Sequence, residues 1–410
     1  MFRRRLAVGL VVVVSACVDS VEEAEVLGHT TQSVIYGQDD RREVFDHPNE
    51  ALRALAQSSV VALIPRERVV RAPTGEYGIQ NLLLKDALRV CEDERFAREP
   101  TSADCSGVLI DEDLVLTAGH CFSAQRTCES FAFVFDYYYR ADGQLEPIGF
   151  GDIYGCRRLV DRKLNVLSPR LDYAVVQLDR PALGRMPAPL RKEPVVDGEP
   201  LATIGSASGL PFKIDTGSRV LNTRAPRADY FLLDSDTFAG SSGSGVFDHA
   251  GNVVGVLVRG GEDYERKPDA SCMIPKVVDL PTDGGLVLSG SGEEATYLGR
   301  VVESVCELGW PSARLCGTEP TCGDGYCTAG ETRITCAEDC ECRDGQCDRA
   351  VQVAAVPPDG GVGDKARPGD GDDGCAAGGG ARGTGGAGGI GAGLLVALLL
   401  WVRRTRHAAR

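Results

Sequence analysis

"CSGVLIDEDLVLTAGHC", Cys105 to Cys121, reads as two short apolar runs around an acidic turn, and it ends on a histidine. Short apolar runs bounded by Gly, Asp or Pro are strand signals. The same pattern recurs in "SSVVALI", "FAFVFDYYY", "DYAVVQLD", "LATIG", "YFLLD" and "GNVVGVLVRGG". Together these runs predict an all-β sandwich or barrel. "EEATYLGRVVESVCELG", at about 293–309, carries Tyr297, Val301 and Val305 every four residues, which predicts a helix after the strands.

Histidine is the usual general base, because it titrates near neutrality. The chain has five. His29 lies in a polar stretch ahead of the strands, and His407 lies behind an apolar C-terminal run. His47 and His249 sit in "FDHPNE" and "FDHAGN" and read as surface-turn residues. His120 ends an apolar run beside a cysteine and is the candidate base. A bridge from Cys105 to Cys121 would close a loop of about 15 residues and fix the backbone that presents His120.

A base needs a nucleophile. "DTFAGSSGSGVFD", Asp236 to Asp248, holds Ser241, Ser242 and Ser244 among glycines. A serine hydroxyl is a weak nucleophile until a neighbour takes its proton. "LDYAVVQLD" offers two acids, Asp172 and Asp179, of which Asp179 precedes "RP" and reads as a turn residue. No serine has Gly at both minus two and plus two, so the α/β-hydrolase elbow is excluded.

"CSGVLI…LTAGHC" resembles the histidine motif of chymotrypsin-fold serine peptidases, "LDYAVVQLD" resembles their acid motif, and "GSSGSGV" resembles their nucleophile motif. The order His, Asp, Ser is the chymotrypsin order. "SVIYGQDDRREV", "IGSASGLPFKID" and "DTFAGSSGSGVFD" are similar to motifs of the V8-like, glutamyl endopeptidase-like branch. The resemblance spans about 34–310 and implies two six-stranded antiparallel β-barrels with a C-terminal helix. It implies Ser242 as nucleophile, His120 as base, Asp172 as the orienting acid, and an oxyanion hole from the amides of Gly240 and Ser242. Substrates would be proteins or peptides. A peptidase-fold binding module that has lost catalysis is the competing reading.

Specificity rests on three positions. Asp236 stands where trypsin-like enzymes carry the acid that selects Arg or Lys, but "DT" there is also common in V8-like enzymes without that preference. Leu257 occupies the place of the histidine used by glutamate-selective members. Arg259, on the same strand, would attract an acidic side chain or stand exposed. Ser241 replaces the aspartate that pairs with a new N-terminus in trypsin, so the V8-like pattern instead implies a cut near Ser33–Val34.

Sixteen cysteines point to an oxidising compartment. "MFRRRLAVGLVVVVSAC" reads as a signal peptide over 1–17, followed by a polar spacer or pro-segment over 18–33. Its end also resembles a lipoprotein box, which would lipidate Cys17. Residues 311–350 form a Cys-rich segment that disulfides must hold. Cys128 and Cys156 fit a hairpin bridge. Asp324, Glu331 and Asp339 supply oxygens of the kind that bind Ca²⁺; no other cofactor and no metal in the peptidase site are expected. A Gly/Pro/Asp linker over 351–384 reads as disordered. Residues 385–402 carry no charge, and 403–410 are basic, which reads as a transmembrane or sorting helix with a cytoplasmic tail. Cys375 with this tail resembles a MYXO-CTERM sorting signal and implies a sorting protease and display on the surface of a Gram-negative bacterium, or release into the medium. The net charge of −15 excludes a nucleic-acid footprint.

Overall fold

The computed structural model describes residues 35–71, 77–165, 167–225, 227–278, 292–329 and 331–340. The leader, Cys17, the linker, Cys375 and the apolar C-terminal run lie outside these residues. Among the described residues no helix is long and apolar enough to cross a membrane.

All of these apolar runs form strands. The first sheet runs in the order Ile153–Tyr154, Phe131–Val134, Val60–Pro65, Cys105–Leu109, Leu114–Thr117, Asp172–Leu178 and Cys156–Leu164. The second runs Val220–Asn222, Tyr230–Leu233, Glu293–Tyr297, Val253–Arg259, Gly245–Asp248, Leu201–Gly205, Lys213–Asp215 and Arg42–Glu43. Every pairing in both is antiparallel.

These are two curled sheets of seven and eight strands, where two six-stranded barrels were expected. The extra strand of the first sheet arises at Gly155. The chain bends there, so Ile153–Tyr154 pairs with Phe133 and Val134 while Cys156–Leu164 pairs with the strand that begins at Asp172. One segment thus serves both edges and curls the sheet. The second sheet gains Arg42–Glu43, which pairs with Lys213 and Ile214.

Two local expectations change. The helix read at about 293–309 is shorter, Leu298–Glu307. Glu293–Tyr297 is instead an inner strand of the second sheet, hydrogen-bonded on both sides. The spacing of Tyr297, Val301 and Val305 is helical only for the two valines, both fully buried. A helix absent from the strand pattern, Glu50–Ser58, is capped by the Asn49 side chain, which accepts from the amides of Ala51 and Leu52.

Residues 311–340 pack against the body. The Arg158 guanidinium lies over the rings of Trp310 and Tyr326. Gln177 Nε2 donates to Cys327 O at 2.8 Å. Bridges Cys306–Cys316, Cys322–Cys336 and Cys327–Cys340 close this segment, and Cys91–Cys272 and Cys128–Cys156 staple the body.

Cys105 and Cys121 are bridged across 16 positions, and both are buried. Replacing both with Ala should lower unfolding free energy by about 3 kcal/mol, the loop-closure entropy of a span this long. Urea denaturation at fixed pH measures the loss.

Candidate active site

Both sheets contribute to one cleft. His120 sits on a one-turn 3₁₀ helix, Gly119–Cys121, directly after the strand Leu114–Thr117. Asp172 opens the neighbouring strand and is fully buried. Its Oδ1 accepts the His120 backbone amide at 3.1 Å, and its Oδ2 lies 2.9 Å from His120 Nδ1. The other ring nitrogen, Nε2, lies 2.9 Å from Ser242 Oγ. A carboxylate only accepts, so Nδ1 carries the proton and Nε2 is the lone pair facing the hydroxyl. The His120 side chain is 36% exposed, which leaves it open to a ligand. Asp179 pairs with Arg180 at 3.0 Å, away from this chain of contacts.

Ser242 sits on a turn that only glycine permits on either side. Gly240 has φ +96° and Gly243 has φ +91°. A Cβ at Gly240 would lie 2.5 Å from Ser206 O, and one at Gly243 would lie 2.0 Å from Ser106 O. Ser106, from the histidine-bearing sheet, stitches this turn. Its Oγ donates to Gly240 O at 2.8 Å, and its amide donates to Ser242 O at 2.7 Å. Among the described residues the amides of Gly240 and Ser242 donate to no acceptor. They are therefore available to an oxygen on which negative charge develops. Ser241 closes the turn on Phe238, and Ser244 is buried beneath it.

A cavity of about 270 Å³ opens beside Ser242. Its walls are Thr237–Ala239 and the run from Leu257 to Gly261 that omits Val258, and Asp263 and Glu293 also line it. A second, wider cleft extends from Ala239 and Gly240 towards Leu82 and Leu88. Ser242 thus stands between two depressions.

Two of the three specificity positions behave differently from expectation. Asp236 does not line the cavity. It is buried behind it, where Oδ1 accepts the Tyr36 amide at 2.9 Å and Oδ2 accepts the Asp40 amide at 2.8 Å. It anchors the N-terminal segment, and burial together with the neighbouring Asp215 charge raises its pKa. Arg259 lines the cavity, but its charge is engaged. Nη2 lies 3.1 Å from Asp172 Oδ2, and Nη1 lies 3.1 Å from Glu294 Oε2. Leu257 lines the cavity as an apolar wall. His47, read as a surface histidine, is buried, with Nδ1 accepting the Asn49 amide.

Two acids escaped the sequence reading. Glu293 is 1% exposed, and its Oε2 accepts from Thr237 Oγ1 at 2.7 Å. Asp263 Oδ2 accepts the Ala239 amide at 2.8 Å. Neither belongs to a motif, and Glu293 opens the stretch read as helix. Burial pushes the Glu293 carboxyl up to about 8 and the Asp263 carboxyl up to about 6.

In the Cys-rich segment the carboxylates of Asp324, Glu331 and Asp339 lie within 4.8 Å of one another. They already accept amide protons from Tyr326, Thr328, Gly323 and Gly325, and so cap the disulfide-held loops.

Residues 105–256 match the family model of the trypsin-like peptidase domain. No curated protein matches the chain. Among solved structures, a Glu endopeptidase in complex with MPD is 16% identical, with a TM-score of 0.39 over 67% of this chain and 98% of its own. The VesB protease of Vibrio cholerae is 14% identical, with a TM-score of 0.40 over 64% of this chain and 67% of its own. The Rv3671c protease from M. tuberculosis in its active form is 15% identical, with a TM-score of 0.36 over 70% and 95%.

The buried carboxyls set a pH dependence of stability. The unfolded chain releases the Glu293 proton near pH 4.5, whereas the folded protein holds it to about 8. The folded state is therefore penalised progressively as pH rises through that window. Unfolding free energy should fall between pH 5 and pH 8, by an amount on the order of a few kcal/mol. Glu293→Gln should flatten that slope in denaturant titrations at several pH values.

Proposed function

We propose that the protein is a serine endopeptidase that cleaves peptide bonds through an acyl-enzyme. The observation that carries this reading is the unbroken chain from Asp172 through His120 to Ser242, at 2.9 Å per contact, beside two unengaged amides. Ser242 Oγ attacks the scissile carbonyl. His120 Nε2 takes the hydroxyl proton and returns it to the leaving amine. Asp172 holds the ring in the tautomer that does this and stabilises the imidazolium. The Gly240 and Ser242 amides receive the oxyanion of the tetrahedral intermediate. Water then repeats the sequence and releases the acid. A peptide bound across the clefts on either side of Ser242 would present its bond at that oxygen.

The sequence adds a setting. The leader over 1–17 exports the chain, the apolar C-terminal run with Cys375 directs sorting at the cell surface, and a lipid on Cys17 gives a second anchor. Cleavage near Val34 frees the mature enzyme. Export supports the six bridges among the described residues, since thiols persist as disulfides outside a reducing cytosol.

A fluorophosphonate probe tests the enzyme reading. It should label the mature protein at Ser242, found by mass spectrometry of the digested adduct, and Ser242→Ala should abolish the label. Absence of label on folded mature protein would favour the binding-module reading. Asp172→Asn should retain the fold and lower kcat by about 10⁴, because the amide stabilises the wrong imidazole tautomer.

A further inference from the structure

We infer that the cavity beside Ser242 receives a basic side chain, lysine or arginine, from the residue preceding the scissile bond, and that Glu293 and Asp263 recognise it. The inference rests on the serine peptidase reading and assigns its substrate class.

The burial of the lining residues differs along the cavity. Ser242 is partly exposed, whereas Glu293, which lines the same cavity, is 1% exposed. Glu293 uses one oxygen on Thr237. The other, Oε1, is buried and makes no hydrogen bond of ordinary geometry among the described residues, and the Gly261 amide and the likewise unpartnered Tyr36 hydroxyl lie beside the carboxyl. A buried acceptor without a donor is costly, and most such groups in folded proteins are paired. An ammonium or guanidinium entering the cavity brings donors and a compensating charge together. Gly260 keeps the way clear, since a Cβ there would lie 2.0 Å from Glu293 Oε2.

The charge balance points the same way. The charged residues lining the cavity are Arg259, Asp263 and Glu293. Arg259 is neutralised by Asp172 and Glu294. Among the described residues neither Glu293 nor Asp263 has a salt-bridge partner. Arg41, which lies near Asp263, is paired with Asp39 at 2.8 Å. In the empty cavity at neutral pH Glu293 therefore still holds its proton beside a largely ionised Asp263, with no free cation among the lining residues, and an entering cation would draw Glu293 into its ionised form. An acidic side chain would meet both carboxyls, and an apolar one would bury Oε1 for good. The acids reach the cavity from the strand Glu293–Tyr297 and from the loop after Arg259, so the function sought at Asp236 is met by other elements of the second sheet.

The test uses the exported full-length protein after processing. Its fluorophosphonate labelling at Ser242 is measured first, because that reaction needs no side chain in the cavity. Cleavage of fluorogenic peptides that differ only in the residue before the bond (Arg, Lys, Glu or Leu) is then compared. Arg and Lys substrates should exceed the others in kcat/KM by at least about 100-fold, and benzamidine should protect Ser242 from the probe. Glu293→Gln, nearly isosteric, should lower kcat/KM for Arg by about 10²-fold and abolish benzamidine protection. Its effect on the Leu substrate should be at least tenfold smaller than its effect on the Arg substrate. Asp263→Asn should act in the same direction should the first variant fold poorly. Labelling with a preference for Glu or Leu overturns this inference alone, as does an equal effect of Glu293→Gln on all four peptides. No labelling of the wild-type protein overturns the peptidase reading together with it.

Discussion

The structure turns on one buried carboxylate. Asp172 lies out of solvent and accepts from the amide and the ring of His120 while Arg259 holds its second oxygen. Burying a charge is costly unless it is paired and hydrogen-bonded, and Asp172 is both. These contacts reach across the molecule. His120 and Asp172 come from adjacent strands of the first sheet, whereas Arg259 comes from the second. Thr296, also from the second sheet, donates its hydroxyl to Asp172 O at 2.9 Å. Satisfying this carboxylate therefore requires the two sheets to meet in one relative placement, and the same placement brings Ser242 to His120.

The sequence carried the strands and the chain order of the reacting groups, because both depend on near neighbours. Short apolar runs such as "DYAVVQLD" mark a strand by their own composition, and Asp172–Leu178 is buried along its whole length. "TAGHC" and "GSSGSG" need a short strand end and a tight glycine turn, which local composition reveals. The walls of the cavity were not legible in the same way. Glu293 and Asp263 reach it from a strand end and a loop, and no local periodicity marks an acid that will face a cavity. Asp236 misled for the converse reason. Its spacing from Ser242 fitted a known role, but its partners are the amides of Tyr36 and Asp40, about 200 positions away. The helix reading over 293–309 failed where tertiary pairing overrode spacing: Thr296 and Ala295 sit between two strands.

The disulfides divide the work that the core leaves undone. The apolar core fills both sheets, with Phe133, Tyr173, Phe212 and Phe247 among its fully buried rings. The bridges act at its margins. Cys105–Cys121 holds the turn of His120, and Cys91–Cys272 ties the long stretch between the strands Val60–Pro65 and Cys105–Leu109 to the loop beyond Arg259. In 311–340 the three bridges replace a core, and the segment gains further support by stacking Trp310 and Tyr326 on Arg158.

Ser106 has a consequence for the life of the chain before it is native. It belongs to the first sheet, yet it fixes both sides of the Ser242 turn from more than a hundred residues away. Contacts this distant in sequence form only once the chain between them has been ordered. The Ser242 turn therefore takes its shape where the two sheets meet, and either sheet alone would leave it without the hydroxyl and the amide that pin it.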